Sequence, residues 1–164
     1  MNIHAAAPAA PTLGFHDPPA RRPPRVLVLF EPTPSGAAAL RAAAQSSDEG
    51  GQLTVVTLAP QSVQPRCCAR GPSVEVVNCV VREEAESELL QAREILGDAA
   101  GRATFKSLVG TQDPPLGVWA AGQGFELIIL PSRRRAFGGH PLARRLRRAT
   151  SAELRLIGRG AHRW

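Results

Sequence analysis

The chain of 164 residues is the size of one domain, and with 43% hydrophobic but only 4% aromatic residues its core has to be aliphatic. No run approaches the roughly 18–20 apolar residues of a membrane helix, the first residues lack the order of a secretory signal, and three cysteines make no disulfide framework. Membrane-spanning, disulfide-scaffold and fully disordered classes are therefore excluded, and the cytoplasm is the expected compartment. Lys and Arg total 20 against 14 Asp and Glu, and the surplus sits at one end: from Ser132 to Trp164 there are ten arginines and one acid, Glu153. Such an end attracts phosphate, nucleic acid or an acidic partner, or is a solvated arginine surface.

Residues 1–24 hold six of the fifteen prolines with much alanine, a composition unable to bury a core, and read as a disordered leader. Arg25–Phe30 (RVLVLF) is an apolar run suited to a strand buried on both faces. After the turn Glu31-Pro-Thr-Pro-Ser-Gly, Ser35 is placed to cap a helix from Gly36 that runs through Ala37–Ser46 and stops at Ser47-Asp-Glu-Gly-Gly51. Leu53–Leu58 (LTVVTL) completes a βαβ unit. Residues 59–78 read as irregular, followed by a helix from about Val80 to Leu96 with Val81, Ala85, Leu89, Ala92 and Leu96 on one face. Glu83, Glu84, Glu86 and Glu88 then fall in its first turns, where the helix dipole favours acids, and Gly97 closes it.

Ala103–Val109 alternates as a strand, and Asp113 with Pro114 opens a helix running to about Gln123. Glu126–Leu130 (ELIIL) is a buried strand, Leu142–Ala149 a helix opened by Pro141, and Glu153–Ile157 (ELRLI) a last strand. Five strands alternating with four helices predict an α/β fold, an open parallel sheet with helices on both faces, Rossmann-like, over 25–158, with 159–164 as a tail.

The ordered set RVLVLF-EPTPSGAAALRAAA, QLTVVTLAP, the glutamate-rich helix, SLVGTQDPPLGVWAA, ELIILPSRRR and LARRLRRATSAELRLIG resembles the universal stress protein (UspA-like) family over about residues 25–158. The resemblance implies strand order 3-2-1-4-5, a homodimer through strand 153–157, and a regulatory or protective role in stress exerted by binding to a still unnamed protein partner rather than by catalysis. It also implies a ligand crevice between the first and fourth strands, where many members bind ATP. On this chain the candidate crevice residues are Glu31 and Ser35 on one side and Pro131, Arg133, Arg134, Gly139 and His140 on the other.

The nucleotide-binding pattern of the family is Gly-x2-Gly-x9-Gly-Ser/Thr after the fourth strand, in which backbone N–H groups and a helix N-terminus cradle phosphates. Here the first glycine position is Pro131, which has no N–H, and the second is Arg134. The closing pair is Arg144-Arg145 counted forward and His140-Pro141 aligned back from the last strand, and neither restores the cradle. The acid after the first strand, usually Asp in the family, is Glu31. ATP binding is therefore expected to be degenerate and no cofactor is expected. The alternative is a nucleotide or other anion held by Arg133, Arg134 and Arg135, whose guanidinium groups suit phosphate.

Other constellations carry less. Cys67-Cys68 with distant Cys79 is no zinc pattern, and Cys79, beside Val80 and Val81, is expected to be buried and inert. No Ser-His-Asp or Cys-His grouping suggests an enzyme. Arg144, Arg145, Arg147 and Arg148 fan around one helix without interleaved aromatics, so nucleic acid is not the expected partner, and nonspecific nucleic-acid binding through the Arg-rich C-terminal third is a further alternative. In the last strand, antiparallel self-pairing near Leu154 would set Glu153 opposite Arg155 of a second copy.

Overall fold

The computed structural model describes residues 23–47, 50–61, 73–132 and 140–158. Chain order is β1 (Arg25–Leu29), α1 (Pro34–Ser47), β2 (Gln52–Ala59), α2 (Val74–Leu96), a 3-10 segment (Gly97–Arg102), β3 (Ala103–Val109), α3 (Leu116–Gln123), β4 (Leu127–Pro131), α4 (Pro141–Ala149) and β5 (Glu153–Ile157). The five strands are all parallel in the order β3-β2-β1-β4-β5, the order the resemblance implies. Among the described residues no helix is long and apolar enough to cross a membrane.

Alternation along the central strands divides the core between the two faces of the sheet. Val26 and Val28 of β1 pack with Val55, Ile129, and Ala39, Leu40 and Ala43 of α1, while Ala92 brings α2 to the same layer. Leu27 and Leu29 point the other way, to Ile128, Leu130, Leu116 and Ala120 of α3, and Ala143 and Leu146 of α4. Both faces of β1 are thus covered, which is why its sequence is continuously apolar rather than alternating. Each valine, leucine or isoleucine so buried contributes about 1.5–3 kcal/mol relative to exposure.

Several boundaries differ from the sequence reading, each for a local reason. Helix α1 starts at Pro34, and Thr33 rather than Ser35 caps it: the Gly36 N–H donates to Thr33 Oγ1 at 3.0 Å. Helix α2 starts at Val74, with Ser73 Oγ accepting from the Val76 N–H at 3.3 Å. Its opening is a β-branched run that local propensity disfavours in a helix. Tertiary contacts override that preference: Val81 and Ala85 pack on Ala59 and Val109, and buried Thr57 donates its hydroxyl to the Ala85 carbonyl at 3.1 Å. The four glutamates 83–88 consequently lie mid-helix, and Glu75 is the acid in the first turn. The glycine closure does hold, with Gly97 at φ 53°.

Asp113 does not open α3, which begins at Leu116 after Pro115. Its carboxylate instead accepts from the Val109 N–H at 2.9 Å and pairs with Lys106 at 3.1 Å, tying the turn back onto β3. Strand β4 continues through Pro131, one residue further than expected. The missing N–H is tolerated because β1 pairs with β4 only as far as Ile129, so no ladder bond to β1 is lost there.

Candidate functional site

Strands β1 and β4 are neighbours, but the chain leaves β1 for α1 on one face and β4 for α4 on the other. The turns after them therefore diverge, which is where open α/β sheets place a crevice. On the β1 side, the Phe30 N–H donates to Val56 carbonyl at 2.8 Å and fixes the strand end, leaving Glu31 half-buried. The first turn of α1 lies directly on the Glu31 backbone: a Cβ at Gly36 would stand 2.0 Å from the Glu31 carbonyl oxygen, so only glycine fits. Ser35 is half-buried, its hydroxyl 3.1 Å from that of Thr33.

On the β4 side, Pro131 is buried and in register with Ile157, and the Ser132 N–H donates to the Ile157 carbonyl at 2.7 Å. His140 caps α4: its Nδ1 accepts from the Ala143 N–H at 3.3 Å, with Pro141 in the first turn. The structure thus brings Glu31 and Ser35 to the end of β1 and Pro131 to the end of β4, and uses His140 as a cap. Arg133, Arg134, Arg135 and Gly139 lie outside the described residues.

A contributor the sequence reading missed comes from α2. The Glu88 carboxyl is held above the usual carboxylate range, first by burial and then by the negative charges of Glu31 and Glu84. Helix α2 thus brings the Glu88 carboxyl near enough to Glu31 to feel its charge. Only the placement of α2 over β2 and β3 reveals this, although the i, i+4 spacing of Glu84 and Glu88 in the sequence already puts those two on one helix face.

Pro131 has no N–H to offer a ligand, and one N–H in the first turn of α4 is already taken by the His140 side chain.

The remaining expectations divide. Cys79 is exposed on α2 rather than buried; its Sγ lies 3.3 Å from Glu83 Oε1, and that hydrogen bond, with the charge of Glu83, pushes the thiol up, away from the reactive thiolate. Cys67 and Cys68 lie outside the described residues, among which no group of three or more His, Cys, Asp or Glu is arranged to hold a metal ion. Arg144, Arg145, Arg147 and Arg148 are all exposed on the outer side of α4, opposite buried Ala143 and Leu146, and the last two fall in the final turn, where they offset the helix dipole. On β5, Leu154 packs toward α3 and α4, Leu156 is 43% exposed, and Glu153 accepts from Arg155 Nε at 2.7 Å within the strand.

Comparison with solved structures settles the architecture. A universal stress protein family member from Burkholderia pseudomallei matches 85% of this chain and 98% of its own, with a TM-score of 0.59 and 19% identity. The universal stress protein of Archaeoglobus fulgidus matches 82% of this chain and 93% of its own, with a TM-score of 0.61 and 18% identity. The chain has the universal stress protein fold. A structure of the universal stress protein from Archaeoglobus fulgidus in complex with dAMP also matches, over 82% of this chain and 96% of its own, with a TM-score of 0.58 and 19% identity. No protein-family model matches the sequence, and no curated protein does. What this universal stress protein fold shares with those relatives is the arrangement of buried strands and covering helices, carried by side chains that are mostly different.

Proposed function

We propose that this chain is a member of the universal stress protein family acting by binding, with no enzymatic activity of its own, and that its crevice has lost the ability to hold ATP. The observation that carries this reading is the pair of blocked donors flanking the loop after β4: Pro131 supplies no N–H, and the His140 imidazole occupies the Ala143 N–H. In this fold, phosphate recognition rests on backbone N–H groups at that point, so their loss removes the recognition itself. Its regulatory or protective role would then be exerted through a protein partner. The test is thermal denaturation of the full chain with and without magnesium and ATP. An unchanged midpoint is expected, and a rise that saturates with nucleotide would overturn the reading.

The relative solved with dAMP favours a second reading, in which a nucleotide or another anion binds at the crevice through Arg133 and Arg134. The double substitution Arg133→Ala, Arg134→Ala separates the two. It abolishes binding in the second reading and changes nothing in the first.

We also propose that two copies associate along β5, an edge strand of the sheet among the described residues. Leu156 is exposed there, and Glu153 and Arg155, which bond to each other within the strand, would exchange these bonds for equivalent ones across a two-fold axis. Sedimentation across a range of concentrations is expected to give a dimer that Leu156→Lys converts to a monomer. A monomer mass for the unaltered chain at every concentration would contradict it.

A further inference from the structure

A second place where the fold is open lies at the other end of the sheet, on the α3 face. Helix α3 has eight residues, about 12 Å at the usual rise, whereas the seven residues of β3 extend over about 23 Å. It cannot roof the strands along their whole length, and among the described residues no helix covers the amino-terminal parts of β2 and β3 on this side. The residues pointing there are polar although the strands are otherwise apolar: Arg25 on β1, Gln52 and Thr54 on β2, Thr104 and Lys106 on β3. Their registers set Arg25 beside Gln52 and Thr54 beside Thr104, so they form one continuous floor.

This floor and its walls enclose a hollow of about 320 Å³ with Trp119 and Phe125 along one side and Arg102 at the margin. Among the described residues, three cationic side chains line it and no acid does. Two of the cations are held in place by contacts outside the hollow. Arg25 donates from Nη1 to the Gln123 carbonyl and lies over the Phe125 ring at 5.4 Å; Lys106 is anchored by Asp113 at 3.1 Å and stands 5.8 Å from the Trp119 ring centre. The Arg25 Nε is buried and has no hydrogen-bond partner among the described residues, so a donor is desolvated at the floor with nothing accepting from it.

We infer that this hollow is a binding site for a small organic phosphate, a phosphoryl group on a flat apolar body. Fixed cations together with the hydroxyls of Thr54 and Thr104 supply charge-assisted and neutral donors for the phosphoryl oxygens. The tilted pair Trp119 and Phe125, with ring centres 5.6 Å apart, supplies the apolar wall for the body. A volume near 320 Å³ holds one small molecule and is too short for a strand of several nucleotides. The site is at the opposite end of the strands from the crevice between β1 and β4 and does not depend on what that crevice binds.

Trp119 and Trp164 are the two tryptophans of the chain, so Trp164→Phe in the full-length protein makes Trp119 the reporter of the hollow. Titration with phenyl phosphate is expected to shift Trp119 emission saturably, and inorganic phosphate to bind more weakly. Thr104 is exposed, so Thr104→Glu places a carboxylate on the floor without disturbing the core, and it is expected to weaken phenyl phosphate binding at least about tenfold. Lys106→Gln should weaken it as well, and thermal melts verify that both variants fold. The proposal is overturned by the absence of a saturable shift, by a shift that chloride reproduces at equal ionic strength, by binding that Thr104→Glu leaves unchanged, or by inorganic phosphate binding as tightly as phenyl phosphate.

Discussion

At the carboxyl ends of the strands, the Glu88 carboxyl feels the charges of Glu31 and Glu84, Pro131 offers no N–H and the His140 side chain takes that of Ala143; at the amino ends, on the α3 face, Arg25, Arg102 and Lys106 surround a hollow that no acid lines among the described residues. One fold thus presents two openings of opposite character. The difference teaches that the open sheet supplies places and the side chains decide what they hold. A crevice at the switch point follows from topology, whereas the proposed loss of ATP binding there rests on two side chains, the Pro131 ring and the capping His140 imidazole. The amino-terminal hollow follows from a covering helix too short for the strands beneath it.

Substitutions at each end should act separately, and the largest effect is expected at the crevice. Gly36→Ala drives a methyl group into the Glu31 carbonyl, and chemical denaturation should show a loss of about 1–3 kcal/mol with Trp119 emission of the folded protein unchanged. Equal loss at Gly36→Ala and at a position with free space would mean that α1 does not sit on the strand end as described.

At the other end, Asp113→Asn removes the carboxylate that anchors Lys106 and accepts from Val109. About 1 kcal/mol of stability is expected to go at neutral pH. The Val109 N–H first, and Lys106 second, hold this carboxyl below its ordinary value of 3.8. Its contribution is therefore present above that value and fades as pH falls through the lower, folded value. Denaturation curves of the two proteins should converge in strong acid, and a difference that persists there would remove the electrostatic explanation.

Smaller effects refine the contrast. Gly122, on the exposed side of α3, has open space where a Cβ would go, so Gly122→Ala should stabilise by about 0.5–1 kcal/mol in thermal melts. Glu88→Gln should give the smallest change. The folded-state carboxyl is raised above its ordinary 4.5, so its ionisation costs stability as pH rises from that value through the folded one. The glutamine variant should melt higher at neutral pH and identically near pH 4, and an inverted pattern would show that the Glu88 carboxyl is not held above its ordinary value.

Much of this architecture is legible in the sequence because the buried strands advertise themselves: RVLVLF, LTVVTL and ELIIL have no other comfortable place than a sheet covered on both faces. The start of α2 is hidden, since Val74–Val81 carries the residues of a strand and becomes helical through contacts of Val81 and Ala85 with distant strands. Ser35 is the cap the sequence suggests, but α1 starts at Pro34, and with Gly36 seated closely on Glu31 it is Thr33 that accepts from the Gly36 N–H. At the crevice, Pro131 speaks for itself because the absence of an N–H needs no coordinates. The role of Glu88 and the shared floor of Arg25, Thr54, Thr104 and Lys106 depend on strand order and register, which place residues far apart in the chain side by side. The alternation of polar residues at the starts of β1, β2 and β3 is the trace that floor leaves in the sequence.

The central claim, a universal stress protein fold whose crevice does not hold ATP, is tested most directly by calorimetric titration of magnesium and ATP into the full chain carrying Thr104→Glu, which closes the amino-terminal hollow to anions. No saturable heat is expected with nucleotide at about 1 mM, where any site worth more than about 4 kcal/mol would fill. Stoichiometric binding with a micromolar dissociation constant would contradict the account.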